Sequence, residues 1–221
     1  MNKAFLDTNL LIAWVFFLNS LHSKSNSVFE QYDELFWSSF VRYEFNRRFF
    51  KKQNNIKFFF KELQKYFENP EQALYSSRDL KNFVLNNFSG KIMEDAESSI
   101  LPFWNEYFGF QTQVPFDSIK DAINFCLNDL SITSNKLKKG LDKSMNLTPL
   151  RTKSYSKIDK LLKNEGVKDA DRRVTLDGHD FACFNSDPID FVTFDEDCFN
   201  GANNVGILCF DSIKGKYDFN S

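Results

Sequence analysis

The alternation of apolar and polar positions divides the chain into two α/β stretches with a long helical stretch between them. Ala4, Phe5 and Leu6 read as the end of a short buried strand, and the run from Leu10 to Leu18 as a buried helix, with Asp7-Thr8-Asn9 as a polar turn and helix cap between them. After serine-rich punctuation, Val28, Phe29 and Tyr32 have helical spacing. Leu35 to Trp37 make a second strand, and Ser38-Ser39 cap a helix running from about Phe40 to Lys52, where Val41, Phe45 and Phe49 form one stripe. From Asn54 to Asn164 the pattern predicts four to six helices broken by Pro and Gly: Ile56 to Phe67, Leu80 to Phe88, Lys91 to Tyr107, Phe116 to Leu141 and Lys153 to Leu162. The α/β grammar then returns. Asp177 to Phe184 reads as a helix, Ile189 to Phe194 as a parallel strand buried on both faces, and Val205 to Phe210 as a final strand.

Composition narrows the class. The 221 residues suffice for one elaborated domain, and 27 phenylalanines supply the bulk of a core. No segment approaches the roughly 20 apolar residues of a membrane span. Asp7 and Asn9 interrupt the N-terminal apolar run, so it is not read as an export signal. The four cysteines (Cys126, Cys183, Cys198, Cys209) contain no C-x-x-C pair and sit in apolar contexts, which predicts reduced thiols and a cytoplasmic protein. Neither G-x-G-x-x-G nor G-x-x-x-x-G-K-[ST] occurs, which removes the usual nucleotide-binding signatures.

Net charge is −2, but unevenly spread. Lys136 to Arg173 holds twelve Lys and Arg against five Asp and Glu, net +7, whereas Asp177 to Asp211 holds eight acids and no Lys or Arg, net −8. The first stretch suits a polyanion, through exposed lysines such as Lys157, Lys160 and Lys163, and the second suits cations; two solvated surfaces would give the same pattern.

Candidate chemistry comes from acids at strand ends. Asp7 closes the first strand and Asp195 closes Ile189 to Phe194, so each falls at the carboxyl end of a buried strand, where open α/β sheets bind ligands. Glu44 lies on the edge of the Val41-Phe45-Phe49 face, although a pair with Arg47 or Arg48 would also account for it. Asp177 and Asp180, three residues apart, share a helix face. Carboxylates drawn together repel, by roughly 4 kcal/mol per pair at about 4 Å and an effective dielectric near 20, so convergence implies cations or shared protons. Oxygen-only ligands select Mg²⁺ or Mn²⁺. Asn9 and Thr193 are placed to orient carboxylates, Asp197 is a further acid nearby, and His179 reads as an exposed helix residue or a proton-transfer group.

These pieces resemble the PIN-domain nucleases: F-L-D-T-N around Asp7, S-S-F-V-R-Y-E-F around Glu44, D-x-x-x-x-A from Asp177 to Ala182, and F-V-T-F-D ending at Asp195. The resemblance implies an α/β, PIN-like three-layer fold with a central, mainly parallel sheet, a core from 1–53 and 165–212, and a helical insertion over about 54–164. It further implies that Asp7, Glu44, Asp177 and Asp195, with Asp180 and Asp197 as further candidates, hold Mg²⁺ or Mn²⁺ and that a metal-activated water cleaves RNA. Single-stranded DNA is a second substrate candidate, and a second copy or an antitoxin protein are candidate partners. A nucleic-acid-binding scaffold without turnover is the alternative. A phosphatase is less favoured, because its D-x-D motif would require an acid at Asn9.

Overall fold

The computed structural model describes residues 1–69, 71–88 and 93–219. In chain order its elements are β1 (Lys3–Leu6), α1 (Thr8–Val15), α2 (His22–Gln31), β2 (Glu34–Trp37), α3 (Ser39–Gln64), β3 (Ala73–Leu74), α4 (Ser77–Asn87), α5 (Met93–Tyr107), β4 (Val114–Pro115), α6 (Phe116–Ser144), β5 (Asn146–Leu147), α7 (Ser156–Asn164), α8 (Asp169–Phe184), β6 (Asp190–Val192), α9 (Glu196–Val205) and β7 (Ile213–Lys214). The chain forms two compact units, one of Met1–Trp14, Ser23–Arg47 and Lys139–Ser221, the other of Val15–His22 and Arg48–Lys138.

The first unit is α/β. Its sheet has the order β5-β2-β1-β6-β7, and every neighbouring pair is parallel. The KAFL strand takes the centre because Ala4, Phe5 and Leu6 are all apolar and therefore suit a strand covered on both faces. Phe5 is in register with Phe36 on one side and Phe191 on the other. Because all five strands run the same way, their carboxyl ends share one edge. Asp7, Ser38, Thr148 and Thr193 follow β1, β2, β5 and β6 there. Helix α8 lies close over β1: a Cβ on Gly178 would come within 2.7 Å of the Phe5 ring and 2.9 Å of the Phe210 ring.

The second unit is mainly helical, with a two-stranded antiparallel pair, β3-β4. Its interior is aromatic: Phe67 stacks on Phe83 with centroids 4.9 Å apart and meets Phe116 edge-on, while Phe60 packs on Phe103. The expected boundaries of the helical insertion, 54–164, differ from this unit, since Lys139–Asn164 groups with the sheet and contributes β5 to its edge. Lys91, the expected start of α5, lies outside the described residues.

Four local expectations need correction. The predicted helices at Phe40 to Lys52 and Ile56 to Phe67 are one helix, α3, because Gln53 does not break it; Gln53 is buried and its amide donates to Ser134 Oγ at 2.8 Å. The expected strand at Val205 to Phe210 is absent. Val205 ends α9, Gly206 takes a left-handed conformation at φ 63°, and Phe210 stacks on Phe191 from irregular chain, with β7 starting only at Ile213. Helix α8 begins at Asp169, eight residues before the expected start at Asp177; Val174 and Leu176 are buried on it, and Asp169 and Asp171 favour its N-terminal turn. Finally, Cys183 and Cys209 form a disulfide, while Cys126 and Cys198 are free and buried. Spacing alone hid this pair, whose cysteines lie 26 residues apart in sequence and 5.2 Å apart between Cα atoms. Among the described residues, no helix is long and apolar enough to cross a membrane.

Candidate active site

Asp7 is 1% exposed at the carboxyl end of the central strand. Its backbone N–H continues the ladder to the Val192 carbonyl at 3.1 Å, which fixes the side chain over the sheet edge. One carboxylate oxygen accepts the Thr8 N–H at 2.6 Å and the other accepts the Thr193 hydroxyl at 2.9 Å. Thr193 Oγ1 in turn accepts the Asp195 N–H at 3.1 Å, so a single hydroxyl links the acids that end β1 and follow β6.

Asp195 caps α9, with Oδ1 accepting the Cys198 N–H at 2.9 Å, while its Oδ2 accepts the Asn9 amide at 3.5 Å. Asn9 and Thr193 thus each donate a hydrogen bond to one of these carboxylates. Glu44 is buried on α3, and its Oε2 accepts the hydroxyl of the fully buried Thr8 at 2.8 Å. Two threonines and one asparagine thus hold Asp7, Glu44 and Asp195 around one sheet edge.

Asp171 on α8, which spacing arguments do not single out, is a further acid that bears on this group through its charge. Burial raises the Asp7 carboxyl to about 7, with the negative charge of Asp171 the next largest contribution; the Thr193 and Thr8 hydrogen bonds oppose the rise, and Glu44 adds to it. Burial likewise pushes the Cys198 thiol upward, reinforced by the charges of Asp7, Asp171 and Asp195. Thr175 on α8 ties these pieces, donating to the Asp171 carbonyl at 2.8 Å and lying 3.5 Å from Cys198 Sγ. A sequence signal existed: Asp171 stands on the same helix as Asp177, but within the Lys136 to Arg173 run it reads as a minority acid in a basic segment.

Asp177 and Asp180 belong to other networks. Asp177 accepts a hydrogen bond from Ser38 and lies 3.6 Å from Arg151; burial raises its carboxyl, and Ser38, Arg151 and Arg173 oppose the rise. Among the described residues, Arg151 Nη1 is buried without a hydrogen-bond partner. Asp180 is 5% exposed and clamps the segment before α7, accepting the Thr152 N–H at 3.1 Å and the Tyr155 hydroxyl at 2.6 Å. Asp177 is thus held beside the end of β2 by Ser38 and Arg151, and Asp180 by the segment before α7. Asp197 is exposed, 3.5 Å from Lys168. His179, expected on a helix surface, is 3% exposed, and burial lowers its pKa.

Lys157, Lys160 and Lys163 line the exposed face of α7, whose Ile158 and Leu162 are buried against the unit. Helix amphipathicity alone accounts for that placement.

The acidic group offers oxygen donors only. Its carboxylates are separated by hydroxyl and amide groups; among the described residues, the one set of three His, Cys, Asp or Glu side chains with all ligand atoms within 4.8 Å is His179, Cys183 and Cys209. No family model, no curated protein and no solved structure matches the chain.

Proposed function

We propose that the first unit is a PIN-like, metal-dependent endoribonuclease whose acidic site is Asp7, Glu44, Asp171 and Asp195. The observation that carries this reading is the state of Asp7: a carboxylate buried at the carboxyl end of a central parallel strand, hydrogen-bonded on both oxygens, and raised to about 7 by burial and by neighbouring acids. A site that disfavours its own negative charge is matched to a cation. The oxygen-only donor set suits Mg²⁺ or Mn²⁺, which keep several waters when few protein ligands are present. When bound, such an ion lowers the pKa of a coordinated water and neutralises charge on a phosphodiester.

The remaining roles fall to side chains. Thr193 holds the Asp7 carboxylate and the Asp195 backbone in one relation, Thr8 does the same for Glu44, and Asn9 fixes Asp195 Oδ2. Arg151, with its unpartnered Nη1, and the exposed lysines of α7 supply positive charge for a phosphate backbone approaching acids that would otherwise repel it.

The test is cleavage of end-labelled RNA and single-stranded DNA with Mg²⁺, with Mn²⁺ and with EDTA. The reading expects cleavage of RNA that requires the cation and disappears with the chelator. RNA binding without cleavage would favour the scaffold alternative, and hydrolysis confined to phosphomonoesters would favour a phosphatase.

A further inference from the structure

Towards the C-terminal end of α8, that helix and the segment between α9 and β7 bring a second set of ligand atoms together. His179 and Cys183 are four residues apart on α8, and so share a face, and Cys209 reaches them from the segment. Their ligand atoms all lie within 4.8 Å of one another. Cys183 Sγ is 3.6 Å from Nε2 and 3.7 Å from Nδ1 of His179, and Nδ1 accepts the Cys209 N–H at 3.0 Å. The imidazole is buried and meets the Tyr155 ring edge-on at 4.6 Å, so its orientation is set by its surroundings, while both cysteines are exposed to solvent.

We propose that His179, Cys183 and Cys209 form a redox-gated Zn²⁺ site, closed in the disulfide form and opened by a dithiol reductant. Two thiolates and one imidazole are the donor types of Zn²⁺ and other thiophilic cations, not of Mg²⁺, so this site and the acidic one select different metals. In the disulfide neither sulfur is a thiolate, and the Nδ1 lone pair is taken by the Cys209 N–H. A dithiol breaks the Cys183–Cys209 bond by thiol–disulfide exchange: the two electrons pass to the cysteine sulfurs, two thiols result, and the reductant leaves as its own disulfide. Zn²⁺ then displaces both thiol protons and takes one imidazole nitrogen, the Cys209 N–H giving up its bond to the ring, with water in the remaining position. Solvent exposure of the cysteines lets reductant and metal reach them; burial of the ring supplies a fixed third donor.

The experiment uses the full chain, oxidised or reduced with dithiothreitol and then freed of it under argon, and titrates Co²⁺ as a spectroscopic stand-in followed by Zn²⁺. The reduced chain should take up one equivalent of Co²⁺ with sulfur-to-cobalt charge-transfer absorption, and Zn²⁺ should displace it; the oxidised chain should give no such band. Cys183→Ser and Cys209→Ser should abolish the band, and His179→Gln should weaken binding by about tenfold or more. Asp7→Asn should leave the band intact, because the acidic site has no sulfur donor, so failure of one site is distinguishable from failure of the other. A reduced chain without the band, an equal band in the oxidised chain, or a full band surviving in either serine variant would overturn the proposal. Should the serine variants fail to fold, the oxidised-against-reduced comparison of the unsubstituted chain decides alone.

Discussion

Asp7→Asn should stabilise the metal-free protein, and increasingly so as pH rises. In the folded chain burial and the Asp171 and Glu44 charges lift the Asp7 carboxyl from 3.8 to about 7, against the pull of its hydrogen bonds from Thr193 and Thr8. Between those values the folded protein holds a proton that the unfolded chain has released. The contribution of this group to stability is therefore unpenalised below about 4, declines as pH rises, and is fully penalised above about 7. At about 1.4 kcal/mol per pH unit the full penalty is about 4 kcal/mol. Asparagine keeps the size and one acceptor oxygen and has no charge to desolvate, so it escapes that penalty. For a chain of this length the difference corresponds to a melting-temperature shift on the order of 10 °C. The assay is thermal unfolding of both proteins in EDTA at pH 5 and pH 8. The gap should be about 2 kcal/mol at pH 5 and about twice that at pH 8, with the variant the more stable. A variant less stable at pH 8, or a gap independent of pH, would refute the reasoning and make Asp7 chiefly a helix cap.

Three further outcomes follow from the same geometry. Mn²⁺ should stabilise the wild-type chain by RT ln(1 + [L]/Kd), and the gain should shrink in Asp7→Asn, measured by the same melts across an Mn²⁺ series. Gly178→Ala should cost about 1–3 kcal/mol in urea unfolding, because its Cβ would meet the Phe5 and Phe210 rings at 2.7 and 2.9 Å; a neutral substitution would mean that α8 can move off the sheet. Replacing Lys157, Lys160 and Lys163 together with Gln should weaken RNA binding and flatten its dependence on salt, as read by anisotropy titrations, whereas unchanged binding would make them only the solvated face of α7.

The parts of the sheet that bury apolar runs are legible from sequence, because Ala4 to Leu6 and Leu35 to Trp37 are continuous and Ile189 to Phe194 is interrupted only by Asp190 and Thr193. The acids ending these runs, Asp7 and Asp195, inherit that legibility, as do Thr193 and Asn9 beside them. Glu44 was reachable through the Val41-Phe45-Phe49 stripe. Local pattern was weaker where the element was set by distant partners. The start of α8 depends on burying Val174 and Leu176 within a charged stretch, so local pattern places the helix only from Asp177 and leaves Asp171 within the basic run. The Cys183–Cys209 pair and the burial of His179 depend on a segment 26 residues away folding back over α8, which no periodicity records. The apolar run ending at Phe210 resembles a strand in composition alone: none of its residues is fully buried, Gly206 ends the preceding helix, and only Ile213 begins the ladder.

The most direct test of the acidic site compares Asp171→Asn with Asp177→Asn in Mn²⁺-dependent cleavage of labelled RNA, with folding of both checked by circular dichroism. If Asp171 completes the group around Asp7, the first variant should lose cleavage by at least about a hundredfold, since one carboxylate of a preorganised charged site is removed, while the second should keep most of the activity. Full activity in Asp171→Asn, or loss confined to Asp177→Asn, would contradict the site assembled here.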